Sequence, residues 1–117
     1  MKQTVIEIKK SKFYGYKYDI STQAEADEIL TTLRKEHKKA THVCFAYKIV
    51  SGQEIVKFSD DGEPSGTAGR PILGVIEKKN LKNVLVVVVR YFGGIKLGAG
   101  GLVRAYTKSA SDVLSEW

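Results

Sequence analysis

The sequence predicts an α+β domain of two layers, one sheet with helices packed on a single face and the other face left available. Three observations carry it: runs of β-branched and aromatic residues come in pairs, helical periodicity fills the intervals, and the elements read ββαββαβα. At 117 residues the chain is long enough for one core and one domain, 1–117, that buries roughly two-thirds of its unfolded surface.

Val5, Ile6 and Ile8, then Phe13, Tyr14, Tyr16, Tyr18 and Ile20, alternate on either side of Lys9-Lys10-Ser11-Lys12 and predict a first hairpin. Thr22-Gln23-Ala24-Glu25 is a capping box, and Ala26, Ile29, Leu30, Leu33 and His37 follow on one face of a helix near 22–38. From Thr41 to Val50 the alternation returns, with Val43, Phe45, Tyr47 and Ile49 on one side and His42, Cys44, Ala46 and Lys48 on the other. Ser51-Gly52 then turns the chain into a strand from Glu54 to Phe58. Ser59 to Gly66 reads as a loop before a helix that tolerates Pro71 in its first turn and buries Ile72, Leu73 and Ile76. Val84 to Val89 is unbroken and apolar, as a central strand requires. After the glycines at 93, 94, 98, 100 and 101, helical spacing starts at Leu102 and continues through Tyr106, Ser109, Ala110, Val113 and Trp117.

Nineteen Lys and Arg against 13 Asp and Glu give a net charge of +6, which favours acidic partners such as RNA and phosphates. Cys44 is the only cysteine, so no disulfide within the chain and no four-thiolate zinc site can form, and a reducing cytoplasmic setting fits. No apolar run has the length of a signal peptide core or a membrane span.

Two segments draw attention as sites. Arg90 to Leu102 joins the apolar strand to the last helix through Gly93, Gly94, Gly98, Gly100 and Gly101. Without Cβ atoms, backbone N–H groups can approach a ligand, and where a loop enters a helix those groups and the positive dipole end favour an anion. Arg90, Lys96, Arg104 and Lys108 would add charge. The P-loop spacing is absent, and Val103 stands where a dinucleotide fingerprint needs a small residue; a purely structural tight turn is the other reading. Ser59 to Thr67 gathers Asp60, Asp61, Glu63, Ser65 and Thr67, either as oxygen ligands or a general base, or as an Asx turn and helix cap. His42 and Cys44 share a strand face but read as packing, as do Tyr14, Tyr16 and Tyr18; His37 reads as a half-buried surface residue. No catalytic residue, cofactor or metal site is assigned.

Phe58 to Leu73, with Phe58-Ser59-Asp60-Asp61-Gly62-Glu63-Pro64-Ser65-Gly66-Thr67 at its head, and Arg90-Tyr91-Phe92-Gly93-Gly94 through Tyr106, together resemble the signature of the Impact/YigZ family. Lys10-Ser11-Lys12-Phe13, Gly15-Tyr16 and His42 to Tyr47 match its pattern as well, so the resemblance spans most of the chain. Val89 stands where the family usually has Thr. Bacterial members usually continue into a ferredoxin-like C-terminal domain, so a sequence ending at Trp117 implies a truncated form or a one-domain member. The resemblance implies a four-stranded sheet with helices on one face, as in the second domain of a small-subunit ribosomal protein, domain IV of elongation factor G and the GHMP kinases. The eukaryotic Impact proteins are translational regulators that compete for the activator of an amino-acid-starvation kinase, which implies a partner in translation.

Three functions follow as expectations. The first is a non-enzymatic module that binds RNA, the ribosome or a translation-associated protein through the basic rim of the glycine segment. The second is an enzyme on a phosphorylated or nucleotide substrate that uses both segments, which requires them to lie together. The third is a protein-interaction domain using the free sheet face.

Overall fold

The computed structural model describes residues 2–115, so Trp117 of the last helical stripe lies outside the described residues. The elements follow as β1 (Lys2–Ile8), β2 (Ser11–Asp19), α1 (Gln23–Glu36), β3 (His42–Ser51), β4 (Gln53–Ser59), α2 (Gly69–Lys78), β5 (Val84–Tyr91) and α3 (Gly98–Val113). The strands form one sheet in the order β1-β2-β5-β3-β4 with every neighbouring pair antiparallel. The sheet therefore has five strands, not the four that the resemblance implied.

β5 is central because its side chains are apolar on both faces. Val84 to Val89 are each at most 2% exposed, a burial worth roughly 1.5–3 kcal/mol per side chain. Val84, Val86 and Val88 join Phe13, Cys44 and Ala46 under α2 and α3, while Leu85, Val87 and Val89 join Val43, Phe45, Tyr47 and Ile49 under α1. Helices thus cover both faces, and the expected two-layer, single-faced arrangement is corrected to three layers.

Crossover handedness explains the difference. β2 and β3 run parallel to each other across β5, and β4 and β5 run parallel across β3, in the opposite direction. Two right-handed crossovers in this order would put α1 and α2 on the same face, the usual outcome. Since they pack on opposite faces, one of the two crossovers is left-handed.

α1 starts where the sequence placed it. The Thr22 hydroxyl accepts from the Glu25 N–H at 3.2 Å and the Glu25 carboxylate accepts from the Thr22 N–H at 3.1 Å. The same topology sets the position of the site: parallel β4 and β5 end at one edge of the sheet, where β2 and β3 begin. The loops after β4 and after β5 therefore meet.

Candidate functional site

The turn after β5 is held by its backbone. The Phe92 N–H donates to the Thr41 hydroxyl at 2.9 Å and the Gly93 N–H to the Ser11 hydroxyl at 3.1 Å. Gly93 must be glycine because a Cβ there would meet the Lys10 carbonyl oxygen at 2.0 Å. Gly98, with φ 75°, turns the chain into α3. The helix begins there and not at Leu102, so Gly100 and Gly101 belong to its first turn and not to the connection. Leu97 occupies the N-cap position and supplies no side-chain acceptor, which leaves the first N–H groups without an intrahelical partner.

The acidic loop is committed to structure. The Asp60 carboxylate accepts from the N–H groups of Gly66, Ala68 and Gly69 at 2.9, 3.0 and 2.8 Å and so caps α2 from a distance. Burial opposes its ionisation, but these three bonds outweigh that and hold its carboxyl below the ordinary value. Asp61, in a left-handed conformation with φ 41°, accepts from the Val43 N–H at 2.7 Å. The Thr67 hydroxyl donates to the Pro64 carbonyl at 2.6 Å, and Ser65 is exposed.

Glu63 and Arg90 form the hinge between the two loops. The Glu63 side chain is 3% exposed and takes two bonds from one Arg90 nitrogen, at 3.1 and 2.9 Å, and one from the Tyr106 hydroxyl. Arg90 also donates to the Ser11 hydroxyl at 3.2 Å and lies between the rings of Phe13 and Phe92. His42 Nδ1 lies 2.8 Å from the Asp61 carbonyl, which can only accept, so that nitrogen carries a proton; its Nε2 faces a Glu63 oxygen at 3.3 Å. Burial, then the neighbouring Cys44 and Glu63, pushes the Tyr106 hydroxyl far up, so Tyr106 acts as a donor at any ordinary pH. Cys44, fully buried, donates to the Asp60 carbonyl at 3.2 Å, and burial pushes its thiol up to about 12. It is not a nucleophile at neutral pH.

Between the two loops opens a cleft of about 400 Å³ whose walls include His42, Pro64, Phe92, Lys96, Leu97 and Gly98. Lys96 is exposed at its edge. Arg104 reaches back one turn, with a guanidinium nitrogen 3.4 Å from where a Cβ on Gly100 would sit, toward the open end of α3. Arg90 is different from both: its charge is met inside the fold by Glu63. Lys108, a turn beyond Arg104, pairs with Asp112 at 3.2 Å; neither Arg104 nor Lys108 forms part of the cleft wall itself. The sequence did not single out Ser11, Thr41 or Tyr106 as members of this site, since a hydroxyl that fixes a distant loop carries no local signal. On the opposite face, His37 sits between the Tyr16 and Tyr91 hydroxyls at 2.8 and 2.6 Å, a cluster separate from the cleft.

Among the described residues no group of three or more His, Cys, Asp and Glu is arranged to hold a metal ion. Nor is any helix among them long and apolar enough to cross a membrane. Comparison with known proteins matches residues 9–114 to the model of the Impact N-terminal domain. The IMPACT family member YvyE of Bacillus subtilis is 54% identical over 110 residues, 94% of this chain and 51% of that protein. A crystal structure described as that of a hypothetical protein superposes with a TM-score of 0.90 at 40% identity, covering 97% of this chain and 56% of that one. The two-domain translational regulator Yih1 superposes with a TM-score of 0.57 at 24% identity over 95% of this chain and 44% of its own, a likeness of fold. The chain spans between 51% and 56% of the length of four bacterial relatives that it matches.

Proposed function

The chain belongs to the Impact N-terminal domain family, and from that premise we propose that it is a non-enzymatic domain acting in translation, binding RNA, free or in the ribosome, through the basic rim of the cleft. One observation carries the reading. At the head of α3 an uncapped helix end opens beside Lys96 and Arg104, and neither cation pairs with a carboxylate among the described residues. Free helical N–H groups and unpaired cations are what a phosphate backbone requires.

The acidic loop argues against the enzymatic alternative. Asp60 and Glu63 spend both oxygens on protein donors, and Asp61, which holds the Val43 N–H through one oxygen, does not line the cleft, so none is placed as a base or a metal ligand toward a substrate there. A translation role accords with the description of Yih1 as a translational regulator. A protein partner is the second reading, favoured by Phe92, Ile95 and Val103, which stay 47%, 42% and 38% exposed around the same turn.

Salt separates the two. RNA affinity of the parent, Lys96→Ala and Arg104→Ala proteins is measured against salt, with thermal unfolding to establish that each is folded. Each lost phosphate contact should lower the slope of log affinity against log salt by about 0.7–0.9. Unchanged affinity and slope in both folded variants would remove RNA from this surface and leave the protein partner.

A further inference from the structure

We infer that the β1–β2 turn, Lys9-Lys10, is a second limb of the same RNA-binding surface and contacts backbone phosphates beyond those that reach Lys96 and Arg104. The inference rests on the RNA reading above and extends it to an element that sequence patterning treats only as a polar break between strands.

Ile8 and Ser11 pair across the hairpin, leaving a two-residue loop. Both loop residues are left-handed, Lys9 at φ 47° and Lys10 at φ 68°. A two-residue hairpin of this kind is the site of Asn-Gly or Asp-Gly, because a Cβ crowds the backbone at positive φ. Two lysines in succession are a poor local choice. Strain of this sort persists only where the surroundings fix it, and it clusters at functional sites.

The surroundings here are the glycine turn. Gly93 lies against the Lys10 backbone so closely that a Cβ would come within 2.1 Å of the Lys10 carbonyl carbon. Ser11, the next residue, accepts from both the Gly93 N–H and the Arg90 guanidinium. The hairpin tip is thereby fastened to the loop that carries Lys96. Lys9 and Lys10 are exposed and, among the described residues, pair with no carboxylate. At this end the Asp60 and Glu63 carboxylates are occupied by N–H donors and by Arg90, and Asp61 holds the Val43 N–H through one oxygen. What faces solvent is a set of unmatched cations on a turn, a loop and a helix. Cations spread over three elements fit a chain of phosphates and not a single anion.

The test is the double variant Lys9→Asn, Lys10→Gly, which removes two charges and installs the residues the turn geometry prefers. It should unfold at a higher temperature than the parent while binding a fluorescein-labelled oligouridylate more weakly. Losing two phosphate contacts should cut the additional loss of affinity between about 50 and 200 mM salt by roughly tenfold. Lys9→Gln, Lys10→Gln keeps the strained turn and should show the same loss of slope without the gain in stability. Lys9→Arg, Lys10→Arg should keep the parental slope. A parental slope in the folded Asn-Gly and Gln-Gln variants, alongside a reduced one in Lys96→Ala, overturns the inference and leaves the RNA reading in place. Absence of salt-dependent binding by the parent removes both.

Discussion

Removing the Glu63 carboxylate is the sharpest perturbation of the site, because it leaves the Arg90 guanidinium in place. The Arg90 and Glu63 side chains are 6% and 3% exposed, so in Glu63→Ala the arginine keeps its charge in a place shielded from water, with only the Ser11 hydroxyl and two ring faces as company. Breaking a buried ion pair from one side costs about 3–5 kcal/mol. At about 4 °C per kcal/mol for a domain of this size, Tm should fall by roughly 12–20 °C. Urea unfolding followed by circular dichroism measures the loss directly. The companion variant Glu63→Leu, Arg90→Met, made with Tyr106→Phe so that no hydroxyl is orphaned, should recover most of it, since an apolar replacement of both partners is close to neutral. The Glu63 and Arg90 substitutions should then be non-additive by up to about 3 kcal/mol. A Glu63→Ala protein within about 1 kcal/mol of the parent would refute the claim that this pair joins the two loops.

Gly93→Ala should destabilise by roughly 1–3 kcal/mol, toward the upper end because the atoms it meets are Lys10 backbone. Gly100→Ala, whose Cβ would meet only the flexible end of Arg104 at 3.4 Å, should gain about 0.5–1 kcal/mol in the first turn of α3, and thermal unfolding of the two compares them. Cys44 should resist iodoacetamide at neutral pH until the protein unfolds. Because burial raises its thiol from 9.0 to about 12, the protonated form favours the folded state; that contribution is complete below pH 9 and is lost as pH rises toward 12. The urea midpoint should therefore fall less steeply over that interval in Cys44→Ala than in the parent.

Much of this fold can be read in the sequence where a local pattern has a local cause. The capping box at Thr22, the alternation from Val43 to Ile49 and the apolar run of β5 each report the environment of their own residues, and each stands in the structure. The start of α3 does not show in the pattern because the apolar stripe begins at Leu102, whereas a first turn of glycine and alanine at the solvent edge needs no stripe. The face on which α1 packs does not show in the pattern because crossover handedness is a property of the whole sheet; no side chain of α1 encodes it. Arg90 read as a free cation because its partner lies 27 positions earlier, and a buried pair and an exposed charge look alike in one dimension.

The same distinction separates scaffold from surface in the two long segments that carry the family resemblance. Asp60 caps α2 within the first segment, while Glu63 of the first takes Arg90 and Tyr106 of the second. Those residues are consumed in holding the loops together, and their cost is met before any ligand arrives. Their effect on binding is indirect but electrostatic in kind: a carboxylate already neutralised by Arg90 and faced by His42 does not cancel the field of the uncapped helix end beside it. Lys96 and Arg104 are exposed and pair with no carboxylate among the described residues. Substitutions in the first group should therefore move stability and binding together, whereas those in the second should move binding alone.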